Sequence, residues 1–207
     1  MTVEDSLADT GFLRPAAPSP AANALFADDR REAGYVMNLS HAWAHQPALQ
    51  QALMDQLAQA SAAAGLSFRH RAVLVTASAS GLGDPHCSLA WGRRLAGEAG
   101  DDVAAAVLRG DDDGLEPGDR ALARWARQVA RDPNGTTPAD VEALREAGLD
   151  DAQIVATTVY VALRIAFSTV NDALGARPDR QLVEAAPEPV RQAVTYGRPA
   201  AAGASAT

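Results

Sequence analysis

The chain has 207 residues, 47% of them hydrophobic and only 5% aromatic, and a net charge of −8 in which all 18 lysine-plus-arginine positions are arginine. That length buries a sizeable core in one domain, and the acidity argues against non-specific nucleic-acid binding, which needs a basic face to displace counterions. The single cysteine, Cys87, excludes an intramolecular disulfide. With so few aromatics, alanine and leucine must carry the core, and alanine is the best helix former because it loses no side-chain entropy. The composition therefore points to close-packed helices.

The chain opens with the acidic Met1-Thr2-Val3-Glu4-Asp5, and no apolar signal-peptide core follows. Residues 1–20, with Pro15, Pro18 and Pro20 among small residues, are expected to form a mobile arm. Residues 21–198 are read as one helical domain, and the alanine, glycine and serine of 199–207 as a disordered tail. Pro47 opens a helix with Leu49, Leu53, Met54 and Leu57 on one face, ending near Gly65. Ser67 is the expected N-cap of the next helix, which runs to about Ser80 before Gly81 and Gly83 interrupt it. Asp84-Pro85 starts another, since aspartate is favoured as N-cap and proline at the first helical position, and Gly97 and Gly100 end it.

Asp111-Asp112-Asp113-Gly114 lacks the ligand spacing of a calcium loop and reads as a solvated turn. Pro117 to Arg131 form an amphipathic helix with Leu122, Trp125 and Val129 inward. Thr137 and Asp140 resemble a capping box for a short helix that Gly148 stops, and Asp150 caps a long helix ending at Leu174-Gly175. Within it, Ile154 to Phe167 is the most apolar stretch. It is interrupted by Arg164 and is too short to span a bilayer, so it reads as a buried helix. A short helix is expected over 190–194. The chain is thus read as soluble and cytoplasmic, in a reducing compartment, without membrane or nucleic-acid partners.

Chemistry concentrates in Gly83-Asp84-Pro85-His86-Cys87-Ser88-Leu89-Ala90-Trp91. With Asp84 as N-cap, the backbone N–H of Cys87 is a natural partner for its carboxylate. The helix's positive end lowers a nearby thiol pKa, while a neighbouring carboxylate raises it, and sequence does not rank the two. Trp91 follows Cys87 by one turn on the same face, and its indole N–H only donates. His86 points about 100° away around the helix. Cys87 is read as core packing or as a reactive thiol, His86 as solvent-facing or as a pocket acid–base group, Asp84 as a cap and Trp91 as a pocket wall. Arg164 must be paired or reach water; a structural ion pair is the favoured reading. Asn171 is read as a helix-packing hydrogen bonder. His41 and His45 have metal-compatible spacing but no third ligand, so neither metal nor cofactor is assigned.

In this region the chain resembles the alkylhydroperoxidase D-like, or carboxymuconolactone decarboxylase, family. The resemblance runs from Gly34-Tyr35-Val36-Met37-Asn38-Leu39 through Arg71-Ala72-Val73-Leu74-Val75, the Cys87 helix, 115–122 and 140–149 to Val170-Asn171-Asp172-Ala173-Leu174-Gly175. It implies an all-α, alkylhydroperoxidase D-like helical bundle that assembles as a homo-oligomer, a trimer or hexamer. Peroxidase members carry Cys-x-x-Cys-x-x-x-His at this helix start and a glutamate on the preceding helix. One thiolate attacks peroxide and the other thiol resolves the sulfenic acid. Here Asp84 replaces the first cysteine, Cys87 keeps the place of the second, Trp91 replaces the histidine, and Ala72 stands where the glutamate is expected. His86 matches a relay histidine found between the cysteines in some members. Three functions remain open. The first is a single-cysteine thiol peroxidase at Cys87, recycled by an external thiol reductant. The second is proton-transfer chemistry of the lactone decarboxylase kind using His86, with Arg93 and Arg94 available for an anionic substrate. The third is a catalytically degenerate oligomer that binds a small ligand or serves as a scaffold.

Overall fold

The computed structural model describes residues 11–201; what the sequence leads one to expect of 1–10 and 202–207 lies outside the described residues. These fold into eleven α-helices, one short 3-10 turn at Pro133–Gly135 and no strand. In chain order the helices are α1 (Pro20–Glu32), α2 (Asn38–Trp43), α3 (Pro47–Ala63), α4 (Phe68–Leu82), α5 (Pro85–Ala99) and α6 (Asp101–Arg109). They continue with α7 (Pro117–Arg131), α8 (Pro138–Glu146), α9 (Asp151–Ala173), α10 (Arg180–Ala185) and α11 (Glu188–Ala193).

Local signals set most of the starts. Ser67 Oγ accepts the N–H of His70 at 3.1 Å, Asp84 caps α5, and Thr137 with Asp140 and Asp150 with Gln153 form capping boxes on α8 and α9. Gly83 ends α4 in the left-handed conformation, φ +77°, which turns the chain directly into the Asp84 cap. Gly100 separates two helices rather than ending helical structure, because α6 begins at the next residue.

Helix α4 is the centre of the bundle. Its residues from Ala72 to Ala79 are at most 2% exposed, so the helix is enclosed on every side by α5, α7, α9 and α6. There Val73, Leu74 and Val75 are followed by the smaller Thr76, Ala77, Ser78 and Ala79, and the small side chains let the flanking helices come close. On α5 the contact is tighter still: a Cβ at Gly92 would lie 3.0 Å from side-chain carbons of both Leu108 and Val190. Helix α9 turns Ile154, Tyr160, Val161, Arg164, Phe167 and Asn171 inward. It is long and apolar enough to cross a membrane by length and composition; against the expectation of a buried helix, only its inward face packs in the core, a third of the apolar window being buried and Val155 and Val159 exposed. Trp43 on α2 stacks on Phe167 at 5.8 Å and donates its indole N–H to Asn171 Oδ1 at 2.8 Å, which locks α2 to the last turns of α9. Residues 11–19 are non-helical, and Phe12 N–H donates to Leu174 O at 2.9 Å.

Two further sequence expectations change. Leu49, read as part of the apolar face of α3, is 62% exposed, whereas Leu53, Met54 and Leu57 do face the core. Asp112, in the acidic run read as a solvated turn, is 6% exposed and holds Arg127 through two bonds, 2.6 Å to Nη1 and 3.1 Å to Nη2. Arg127 also donates to Val107 O at 2.9 Å, so the pair clamps the α6–α7 connection against the bundle. Removing one partner leaves a buried charge unpaired. Asp112→Ala is therefore expected to cost about 3 kcal/mol, read as a lower urea midpoint with an unchanged m-value; substitution of its exposed neighbour Asp113 should leave the midpoint in place.

Candidate functional site at the start of helix α5

The Asp84 carboxylate is fully buried, and its Oδ1 accepts the N–H of Cys87 at 3.0 Å. Its Oδ2 is buried with no hydrogen-bond partner. The same carboxylate that caps the helix thus places a negative charge beside the only sulfur nucleophile in the chain. Cys87 itself is 2% exposed. Burial pushes its thiol pKa far up, the charge of Asp84 adds to that rise, and Arg164 opposes it. At neutral pH the sulfur rests as a neutral thiol, so the sequence question of dipole against carboxylate is decided by desolvation.

Arg164 reaches this sulfur from α9, with Nη2 3.4 Å from Cys87 Sγ. Its guanidinium carbon lies 5.2 Å from the Trp91 ring centroid and 5.2 Å from that of Phe167. The expected structural ion pair is not formed: no carboxylate lies within ion-pair distance of Arg164 among the described residues, and its Nε is buried without a partner. Two ring faces contribute on the order of 1–2 kcal/mol each, against a desolvation penalty of several kcal/mol for a buried ion. Sequence gave no sign of this. Arg164 is 77 residues from Cys87, and only the packing of α9 on α5 joins them.

Trp91, half-buried, sits at the centre of the arrangement. Arg94 covers it at 4.7 Å and Phe68 tilts against it at 6.3 Å. Arg71 lies 5.6 Å over Phe68, and the buried Tyr160 feels Arg164, Arg71 and Arg94 as charges. Burial and the neighbouring Arg164 and Arg93 all push the Arg94 pKa down. Ala72 has no exposure, and no acid occupies its place on α4.

His86 does not join the thiol. It is 8% exposed, and its Nδ1 lies 3.8 Å from Asp179 Oδ2, too far for a hydrogen bond, with both atoms otherwise unpartnered. Burial lowers the His86 pKa, leaving the ring neutral at pH 7. Asp179 accepts the backbone N–H of Asn38 at 2.8 Å, and burial raises its pKa to about 6. The His86 side of α5 therefore faces the α2 start, while the Cys87 side faces α9. His41 and His45 are engaged elsewhere, by the Phe26 ring at 5.3 Å and the Arg14 carbonyl at 3.0 Å. The site therefore unites Asp84, Cys87 and Trp91 with Arg164, Arg94, Phe68 and Phe167; the His86 ring faces Asp179, yet Asp84, Arg164 and Arg94 also act on it as charges.

This arrangement of helices matches known structures. The chain has the alkylhydroperoxidase AhpD-like fold. An AhpD-core, uncharacterized peroxidase-related protein from Ralstonia eutropha JMP134 superposes with a TM-score of 0.63 at 24% identity, over 82% of this chain and 96% of that one. An uncharacterized peroxidase-related protein from Silicibacter sp. TM1040 gives 0.68 at 17% identity, over 84% and 94%. A Cys-to-Ala variant of the debrominase Bmp8, in complex with 2,3,4-tribromopyrrole, gives 0.66 at 13% identity, over 84% and 97%. No family model matches the chain, and no curated protein sequence matches it. The AhpD-like bundle thus accommodates members described as peroxidase-related and one described as a debrominase, and the residues at α5 must distinguish them.

Two outcomes follow from these electrostatics. Alkylation of Cys87 by iodoacetamide at pH 8 should be much slower in the folded protein than in the denatured chain, because the thiolate is the reacting form. Asp84→Asn keeps a capping side chain and removes the repelling charge, so it should speed labelling; Arg164→Gln should slow it further. Asp179 gives the second. Its folded pKa lies above the model-peptide value of 3.8, so the native state holds the extra proton between pH 4 and 6. Stability from this group is then full at low pH and falls as pH rises through about 6, by at most about 3 kcal/mol. Asp179→Asn should flatten that part of a pH series of urea midpoints.

Proposed function

We propose that this chain is a peroxidase-related AhpD-like protein whose α5 site binds a small, flat, apolar-bodied molecule at Trp91 rather than turning over peroxide. The observation that carries this reading is the state of Cys87. It is 2% exposed and a neutral thiol at rest, with Ala72 in the place of a relay acid and Trp91 in the place of a relay base. Peroxide reduction needs a thiolate that peroxide can reach and a group to protonate the leaving oxygen. Trp91, by contrast, is a half-buried ring with Phe68 tilted against it and the Arg94 and Arg164 guanidiniums over it. The debrominase complex supports the reading, since that AhpD-like protein holds a small halogenated ring. The inward polar residues of α9 fit a soluble protein.

One observation favours a second reading, a single-cysteine thiol peroxidase. Arg164 Nη2 lies 3.4 Å from the sulfur, where a cation would stabilise the thiolate once formed. In that reaction the sulfur attacks the peroxide, the O–O bond breaks, and the leaving oxygen takes the thiol proton. The resulting sulfenic acid is reduced by two equivalents of an external thiol, giving water and a disulfide. One experiment separates the two. Hydrogen peroxide and cumene hydroperoxide consumption is followed with dithiothreitol for the parent chain and for Cys87→Ser. The binding reading expects equal, background rates. Turnover that disappears in Cys87→Ser would establish the peroxidase and overturn it.

A further inference from the structure

We infer that the α5 site is completed by a small organic carboxylate with a flat aromatic body, its carboxylate held by Arg164 and Arg94 and its ring lying along Trp91. The inference rests on the binding reading above and names the ligand's chemical class. Arg164 is 92% buried, since only 8% of it is exposed, yet it meets neutral partners alone: the Cys87 sulfur and two ring faces. Its Nε is buried and unpartnered, and its one hydrogen bond is the contact from Nη2 to sulfur. A buried cation is ordinarily paired, because desolvation otherwise goes uncompensated. Among the described residues none supplies the pairing group.

The neighbours make the deficit larger. Arg94 and Arg164 stand over the same indole at 4.7 and 5.2 Å and repel one another. Arg71 adds a third guanidinium beside Phe68, and its Nε is also buried without a partner. None of the three forms an ion pair among the described residues, in contrast to Arg69 with Asp119 and Arg127 with Asp112. Asp84 accepts the Cys87 N–H and is paired with no arginine among the described residues. An anion arriving from the open side, where Phe68 is 44% exposed and Arg94 is exposed, would neutralise this cluster.

The shape of the cluster selects among anions. A guanidinium presents parallel N–H donors that match the two oxygens of a carboxylate. Trp91 and Phe68 supply an aromatic wall, their planes 33° apart at 6.3 Å, which suits a flat ring stacked or tilted against them. A bare inorganic anion would use the charges and waste the wall. A neutral ring would use the wall and leave the guanidiniums unpaired. The ligand would also lie beside Cys87, so binding should shield the sulfur.

Benzoate, benzamide and inorganic phosphate are the probes, titrated against the full chain by calorimetry and by the rate of Cys87 alkylation. Benzoate is expected to bind at least ten times more tightly than benzamide and phosphate, and to slow alkylation at the same concentrations. Arg94→Gln, an exposed position where folding is not at stake, should weaken benzoate five-fold or more and leave benzamide unchanged; Arg164→Gln should abolish the preference. Equal binding of benzoate and benzamide would overturn the carboxylate while leaving the binding reading intact. Equal binding of phosphate and benzoate would overturn the aromatic body. Benzoate affinity unaffected by both arginine variants would place the molecule elsewhere. If none of the three binds, the binding reading falls as well.

Discussion

The Arg164 guanidinium, pressed between Trp91 and Phe167 with one nitrogen on the Cys87 sulfur, is the constraint around which this end of the bundle is organised. It sits on the inward face of α9, where a long side chain must find either water or a partner. The rings it touches are themselves anchored. Phe167 stacks on Trp43, and the Trp43 indole N–H is held by Asn171 one turn further along α9. A continuous path therefore runs from the end of α2, through two aromatic rings, to the cation and then to the thiol. Moving Arg164 would disturb α2 and α5 together.

Against this cation stands Asp84, which has two duties that conflict for a peroxidase. As a cap it satisfies an orphan N–H at the start of α5, which a helix opening inside the core requires. As a buried charge it opposes ionisation of the residue whose N–H it holds. A cysteine at that place would leave the thiol to the helix dipole and to Arg164, both of which favour the thiolate. Burial is the larger cause of the raised Cys87 pKa and Asp84 adds to it, so relieving the charge at this one position would undo only part of the rise.

Features governed by contacts three or four residues apart were legible in the sequence. The caps at Ser67, Asp84, Thr137 and Asp150 depend on a side chain and an N–H within one turn, and each lies where local chemistry puts it. A helix without such a mark was missed. Gly100 ends α5 as expected, yet α6, absent from the expected elements, begins at the next residue because Ala104, Ala105, Val107 and Leu108 can be buried under α4 and α11. The fate of charged residues was the least legible. Asp112 resembles its exposed neighbours Asp111 and Asp113, and its burial is decided by Arg127, 15 residues on. Arg164 was expected to pair with a carboxylate, and nothing local says that the groups around it are a sulfur and two rings.

The separation of His86 from Cys87 shows why adjacency in sequence is a poor guide to a shared site. On a helix, successive residues point about 100° apart, so one of the two could face α9 only if the other faced away. The packing of α5 gives α9 the sulfur and gives the α2–α10 corner the imidazole, where burial keeps it neutral beside Asp179. Among the groups assembled at Trp91, arginine, tryptophan and phenylalanine are not bases at neutral pH, and the Asp84 carboxylate is engaged through one oxygen by the Cys87 N–H. Three guanidiniums that form no ion pair among the described residues are what make recognition of an anion the chemistry we propose for this site.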